Sequence, residues 1–105
     1  MTIRLPRRNA PDLVLQGATL LAEATSHTPH SRRWAELRVW QTDKGKLVAE
    51  QVGRTTIQGE DDRRNARVCK TPEQVRRWLG YGWLATVLYE RLGWNTDLDP
   101  QEIVE

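Results

Sequence analysis

Residues 33–57 restrict the fold more than any other stretch of this chain. Two runs with alternating apolar and polar positions, 33–42 and 46–57, flank Asp43-Lys44-Gly45. A three-residue link of this kind suits a type I turn with glycine in the left-handed position of a bulge. The resulting register sets Thr42 opposite Lys46, Trp40 opposite Val48, Arg38 opposite Glu50, Glu36 opposite Val52 and Trp34 opposite Arg54. Side chains alternate between faces along a strand. One face is therefore apolar (Ala35, Leu37, Val39, Leu47, Ala49), and the other is mixed (Trp34, Glu36, Arg38, Trp40, Val48, Glu50, Val52, Arg54). Two cross-strand arrangements, Arg38 with Glu50 and Arg54 over Trp34, support the register by a few tenths to about 1 kcal/mol each.

The flanking segments complete an α+β domain, with an antiparallel β-meander around the central hairpin packed against C-terminal helices. Pro6 and Pro11 forbid a continuous helix in residues 1–16, and Arg4, Arg7 and Arg8 are expected to keep that segment wet, so it reads as a basic arm. Residues 18–25 alternate as a strand would, with a short helix as the near alternative because Leu and Ala favour one. Residues 58–65 read as a polar loop and 66–70 as a short strand. Thr71, Pro72 and Gln74 form a capping box with proline in the first turn, which predicts a helix starting there. Val75, Trp78 and Leu79 give it an apolar stripe. Gly80-Tyr81-Gly82 separates it from a second helix aligned on Leu84, Val87, Leu88 and Leu92, with Gly93 as its cap. Trp78, Trp83 and Trp94 are expected to pack between helices and sheet. Asp99-Pro100 would cap a last helical turn through Val104.

At 105 residues the chain has room for one core. No apolar run approaches membrane-spanning length. Residues 1–8 are charged without an apolar stretch behind them, so no secretory leader is expected. The lone thiol, Cys69, fits a reducing, cytoplasmic address. The net charge of +2 conceals a gradient. All sixteen basic residues precede Gly93, and Asp97, Asp99, Glu102 and Glu105 follow it, so residues 1–92 carry +6 and an acidic tail within 94–105 carries −4. Such a division points to an acidic or polyanionic partner, or to a tail folded over the basic body. Thirteen of the sixteen cations are arginine, the better residue for bidentate recognition of phosphate or carboxylate.

No catalytic or metal-binding constellation emerges. His27-Thr28-Pro29-His30 has its proline where a helical ligand pair would need a turn, and with one cysteine a four-ligand zinc site is out of reach. Cys69 has no local base signature, and Gly80-x-Gly82 is a helix break rather than a phosphate loop. We therefore expect no enzyme, no metal and no cofactor. Two binding readings remain. In the first, a non-catalytic protein of accessory, regulatory or inhibitory type, such as phages and mobile elements often encode, occupies a surface of a protein or nucleoprotein partner. Trp34 and Trp40 would anchor the contact, and Arg38 and Arg54 would set its charge. The same face could instead pair two copies of the chain in a homodimer. In the second, the dyads Arg7-Arg8, Arg32-Arg33, Arg63-Arg64 and Arg76-Arg77 converge to track a nucleic-acid backbone, with exposed Trp as stacking platforms. Adjacency alone makes no patch, because a dyad within a strand sends its two side chains to opposite faces.

Overall fold

The computed structural model describes residues 2–94. Its centre is the expected hairpin. Strands β4 (Arg33–Gln41) and β5 (Leu47–Thr55) pair antiparallel, with Trp34 opposite Arg54, Arg38 opposite Glu50 and Trp40 opposite Val48. Thr42 N–H donates to the Lys46 carbonyl at 2.9 Å, and Gly45 closes the turn at φ 83°, a backbone conformation that glycine adopts without a Cβ penalty. Strand β3 (Thr19–Thr25) adds outside β4 and β6 (Arg63–Cys69) outside β5, giving a four-stranded meander in the order β3-β4-β5-β6. The strand reading of residues 18–25 thus prevails over the helical one. Ala22 and Ala24 pair with Val39 and Leu37 and extend the apolar face. A bulge at Leu21 interrupts the β3 register, which is a common way of irregularising an edge strand.

Helix α1 (Pro72–Leu79) and helix α2 (Trp83–Leu92) cover that apolar face. The Thr71 hydroxyl accepts from Gln74 N–H at 3.2 Å, while the Gln74 side chain reaches back to Lys70 N–H at 2.8 Å, one residue earlier than in the standard box. Val39, Ala49, Val75 and Leu88 are fully buried, and Cys69 joins them as a small apolar side chain. Tyr89 donates its hydroxyl to the Gly80 carbonyl at 2.6 Å, fixing the break between the helices, and burial pushes its pKa up to about 12. Trp78 and Trp94 pack against this core, as expected. Trp83 does not: it opens α2 with 69% of its surface exposed, beside the exposed Tyr81. At 3.6 residues per turn it lies on the opposite side of α2 from the buried Ala85, Leu88 and Tyr89.

The N-terminal segment departs from the arm reading. Strands β1 (Thr2–Leu5) and β2 (Leu13–Gln16) form a second hairpin. Its prolines lie in the connection, where no ladder N–H is needed. Ile3, Leu5, Leu13 and Leu15 share one face through the pairs Ile3 with Leu15 and Leu5 with Leu13. That face packs on Ala18, Val48, Ala66 and Trp40, the apolar half of the mixed face. Arg8 N–H donates to the Arg64 carbonyl at 3.1 Å and ties the connection to β6. Gly17 turns the chain from β2 into β3 at φ 61°, against the 42–46 turn, so closely that a Cβ there would lie 2.8 Å from the Asp43 Cβ. Strand β6 also begins earlier than the polar-loop reading of 58–65 allows, taking in Arg63, Arg64 and Asn65. The Asp99-Pro100 turn and the acidic residues from Asp97 onward lie outside the described residues. No described helix is long and apolar enough to cross a membrane.

Candidate functional site

The mixed face divides into two halves. Trp40 belongs to the covered half. It is half-buried against the N-terminal hairpin, and its indole Nε1 donates to Glu50 Oε1 at 3.1 Å. The other half is a chain of ion pairs. Arg38 reaches Glu23 at 3.1 Å, Glu36 at 2.7 Å and Glu50 at 3.5 Å, and Arg54 reaches Glu36 at 3.2 Å and Asp62 at 3.4 Å. Trp34 Nε1 donates to the remaining Glu36 oxygen at 3.0 Å. Burial pushes the Glu36 carboxyl up, but the hydrogen bonds from Trp34, Arg38 and Arg54 outweigh it and hold the group below the usual carboxylate range. The four residues read as partner anchors therefore do share one face. Their polar groups, however, are largely engaged within the chain, and Trp40 is packed beneath the β1–β2 hairpin.

A different grouping is open to solvent. At the end of the sheet where β5 leaves and β6 enters, a cleft of about 950 Å³ is lined by Arg7, Arg8, Arg33, Arg54, Arg63 and Arg64, with Glu60, Asp61 and Asp62 on one rim and Trp34 on a wall. The convergence has a structural reason. The cleft wraps around the end of the sheet, so both faces contribute: Trp34, Arg54 and Arg64 from the mixed face, Arg33 and Arg63 from the other. Gly53 lies between them and has no side chain to fill the space. Three of the four dyads thus supply residues to one concavity. Arg76 and Arg77 lie on α1, across the sheet, where Arg77 pairs with Glu73 at 2.7 Å. Arg32 adds its carbonyl, not its side chain, to the hydrogen bonding at the start of β4.

The cleft is electropositive. Glu60 is held by Arg33 (Nε to Oε1, 2.9 Å) and by the Thr55 hydroxyl, and these hydrogen bonds hold its carboxyl down to about 2. Asp62 accepts from Thr55 N–H at 3.0 Å and lies 3.6 Å from Arg64. Arg7 Nε donates to the Pro11 carbonyl at 2.7 Å, which orients its side chain. Arg8 and Arg63 make no side-chain hydrogen bond or ion pair among the described residues. Six arginines against three carboxylates leave a surplus of three positive charges. Trp34 also lines a second, smaller depression of about 350 Å³ with His27, Glu23, Arg38 and Arg91.

A Cys69–His27 pair is excluded by geometry. Cys69 lies opposite Leu47 at one end of β5, whereas His27 stacks edge-on against Trp34, which lies opposite Arg54. Seven residues of strand separate the two ends, about 24 Å. Burial also pushes the Cys69 thiol up, away from the reactive thiolate. Sequence reasoning missed the part played by Gly53 and by Arg54 in the cleft. An Arg-rich loop facing a strand-interior glycine was the available signal. A scan against protein-family models, a search of curated proteins and a search of solved structures each find no match to the chain.

Proposed function

We propose that this is a non-catalytic binding protein whose contact surface is the arginine-lined cleft and whose partner is a phosphate-bearing polyanion, that is, a nucleic acid or the nucleic-acid part of a nucleoprotein. One observation carries this reading: residues from three Arg dyads, far apart in sequence, meet around a single open cleft with a surplus of positive charge. Arginine in such numbers suits phosphate, which it grips with two parallel N–H donors. The protein-surface reading, built on Trp34, Trp40, Arg38 and Arg54, draws less support. Trp40 is packed beneath the N-terminal hairpin, and Arg38 is taken up by Glu23, Glu36 and Glu50, so two of its four anchors are not free to engage.

The test is binding of a generic labelled oligonucleotide across a salt series. Each phosphate neutralised contributes about −0.7 to the slope of log K against log salt for a single strand, or about −0.9 for a duplex. Replacing both Arg8 and Arg63 by Gln should therefore flatten the slope by about 1.4 to 1.8 units. Arg76→Gln with Arg77→Gln should leave it unchanged. Gly53→Ala should narrow the cleft while the protein stays folded, because a Cβ there meets the Arg63 Cβ at 3.7 Å and the Arg63 carbonyl oxygen at 3.9 Å, both ordinary contacts. Absence of oligonucleotide binding at low salt, together with nuclease-resistant recovery of one defined protein from cell extract, would overturn the proposal in favour of a protein partner.

A further inference from the structure

We infer that the cleft takes single-stranded rather than duplex nucleic acid, with Trp34 as the platform on which a base stacks; the inference rests on the nucleic-acid reading above. Three observations carry it. First, the arginines line a concavity instead of projecting from a helix or ribbon. A duplex is read by an element that enters its groove, and neither described helix lines the cleft. Second, the wall of the cleft is an indole. Trp34 lines the arginine cleft and the adjoining depression alike, so it forms the partition between them. A phosphate held by Arg64, on the same face of the sheet as Trp34, would place its own base beside that partition. Only an unpaired base can use it, because a duplex keeps its bases in the stack. Third, the ring is already fixed. Its Nε1 donates to Glu36, which Arg38 and Arg54 hold in turn, and the His27 ring contacts it edge-on with centroids 4.3 Å apart. A platform set in advance loses little conformational freedom when a base arrives.

The carboxylates on the rim sharpen this picture. Glu60 and Asp62 are bound by Arg33, Arg54 and Arg64, and Asp61 is exposed on the same loop. Neutralised in this way, Glu60 and Asp62 leave the positive surplus of the cleft on Arg7, Arg8 and Arg63.

The experiment compares the full chain against a labelled thymidine 12-mer, a 12-base-pair duplex and heparin, by fluorescence anisotropy at low salt. The single strand should bind at least tenfold more tightly than the duplex. Trp34→Leu should weaken single-strand binding about 5- to 160-fold, the range expected for one lost base–aromatic stack, and leave the salt slope unchanged. Trp34→Phe should retain most of the affinity. Because Trp34 is half-buried and its leucine variant could fail to fold, a bromouridine oligonucleotide would also be photocrosslinked to the unmodified protein. The adduct should map to the peptide containing His27 and Trp34. Equal affinity for strand and duplex, an unaltered Trp34→Leu variant, or adducts confined to α1 would overturn this inference and leave the nucleic-acid reading standing. Heparin binding as tight as the oligonucleotide would overturn it too. No binding to either oligonucleotide would overturn both.

Discussion

Replacing Arg38 by Leu tests how the mixed face is held together. The Glu50 side chain is 6% exposed, and its carboxylate has two partners among the described residues: the Trp40 indole N–H at 3.1 Å and Arg38 at 3.5 Å. Arg38→Leu leaves that carboxylate buried with the indole alone. Stranding one member of a fully buried ion pair costs about 3–5 kcal/mol. Arg38 is itself 20% exposed and its contact to Glu50 is long, so water screens part of the interaction and we expect about 2–3 kcal/mol. In a domain of this size that corresponds to a fall in Tm of about 10–20 °C. The double variant Arg38→Leu/Glu50→Leu should be more stable than Arg38→Leu alone by about 1–2 kcal/mol, since a buried ion pair exchanged for apolar side chains is often neutral. Urea unfolding followed by far-ultraviolet circular dichroism measures all four corners of the cycle, and it avoids the indole fluorescence that Trp40 would perturb. If the double variant is less stable than the unmodified protein by the sum of the two single effects, the two residues are uncoupled and the argument for a charge-stabilised face is refuted.

Three further outcomes are expected. Leu15→Ala, at a position 4% exposed beneath the N-terminal hairpin, should cost about 2–4 kcal/mol in urea unfolding, whereas Val14→Ala, 48% exposed, should stay within about 0.5 kcal/mol; equal effects would mean the hairpin does not pack as a cover. Gly17→Ala should cost about 1–3 kcal/mol because it combines a positive φ with a Cβ 2.8 Å from that of Asp43, and Gly59→Ala, with open space around it, should cost about 1 kcal/mol by thermal melting. Glu36 and Glu60 both have carboxyls held below the ordinary 4.5, Glu60 at about 2. A group whose folded value is depressed stabilises the fold above its unfolded value and loses that effect as pH falls through the folded one. The urea midpoint should therefore drop between pH 4.5 and 2, and Glu60→Gln should flatten part of the drop; a level profile in the unmodified protein would refute it.

What could be read from the residues was local. The 43–45 turn fixes a register, the register fixes two faces, and the Thr71 box fixes a helix start, so the meander and its helical cover follow from short-range chemistry. The N-terminal hairpin was hidden by its own connection. Two prolines and three arginines between and around Leu5 and Leu13 mask a four-residue alternation too short to stand out. Trp83 is exposed because α2 turns Ala85, Leu88 and Tyr89 to the core, a stripe centred away from the Leu84 and Val87 alignment that the spacing suggests. The cleft lay further from reach. It depends on four segments, 6–8, 33–34, 53–55 and 59–64, arriving at one end of the sheet, and nothing in the spacing of an Arg dyad reports where its neighbours end up.

The distribution of charge over the folded chain separates stability from recognition. A four-stranded sheet this small has two faces to satisfy. The helices take one, the N-terminal hairpin takes the apolar half of the other, and the remaining half is neutralised by carboxylates facing Arg38 and Arg54. Positive charge without a side-chain partner among the described residues is then left at the rim, on Arg8 and Arg63. Charges at such positions contribute little to folding, since exposed cations are screened by water and salt. They remain available to a polyanion, which on arrival releases its condensed counterions and binds in a salt-dependent way. The two sets of arginines should therefore respond in opposite ways. Arg8→Gln and Arg63→Gln should leave the urea midpoint within about 0.5 kcal/mol of the unmodified protein and flatten the salt slope of binding, whereas Arg38→Leu should lower the midpoint and leave the salt slope of the remaining folded fraction unchanged. A single residue that moved both quantities together would show that the rim is part of the scaffold, and the division drawn here between the two sets would fail.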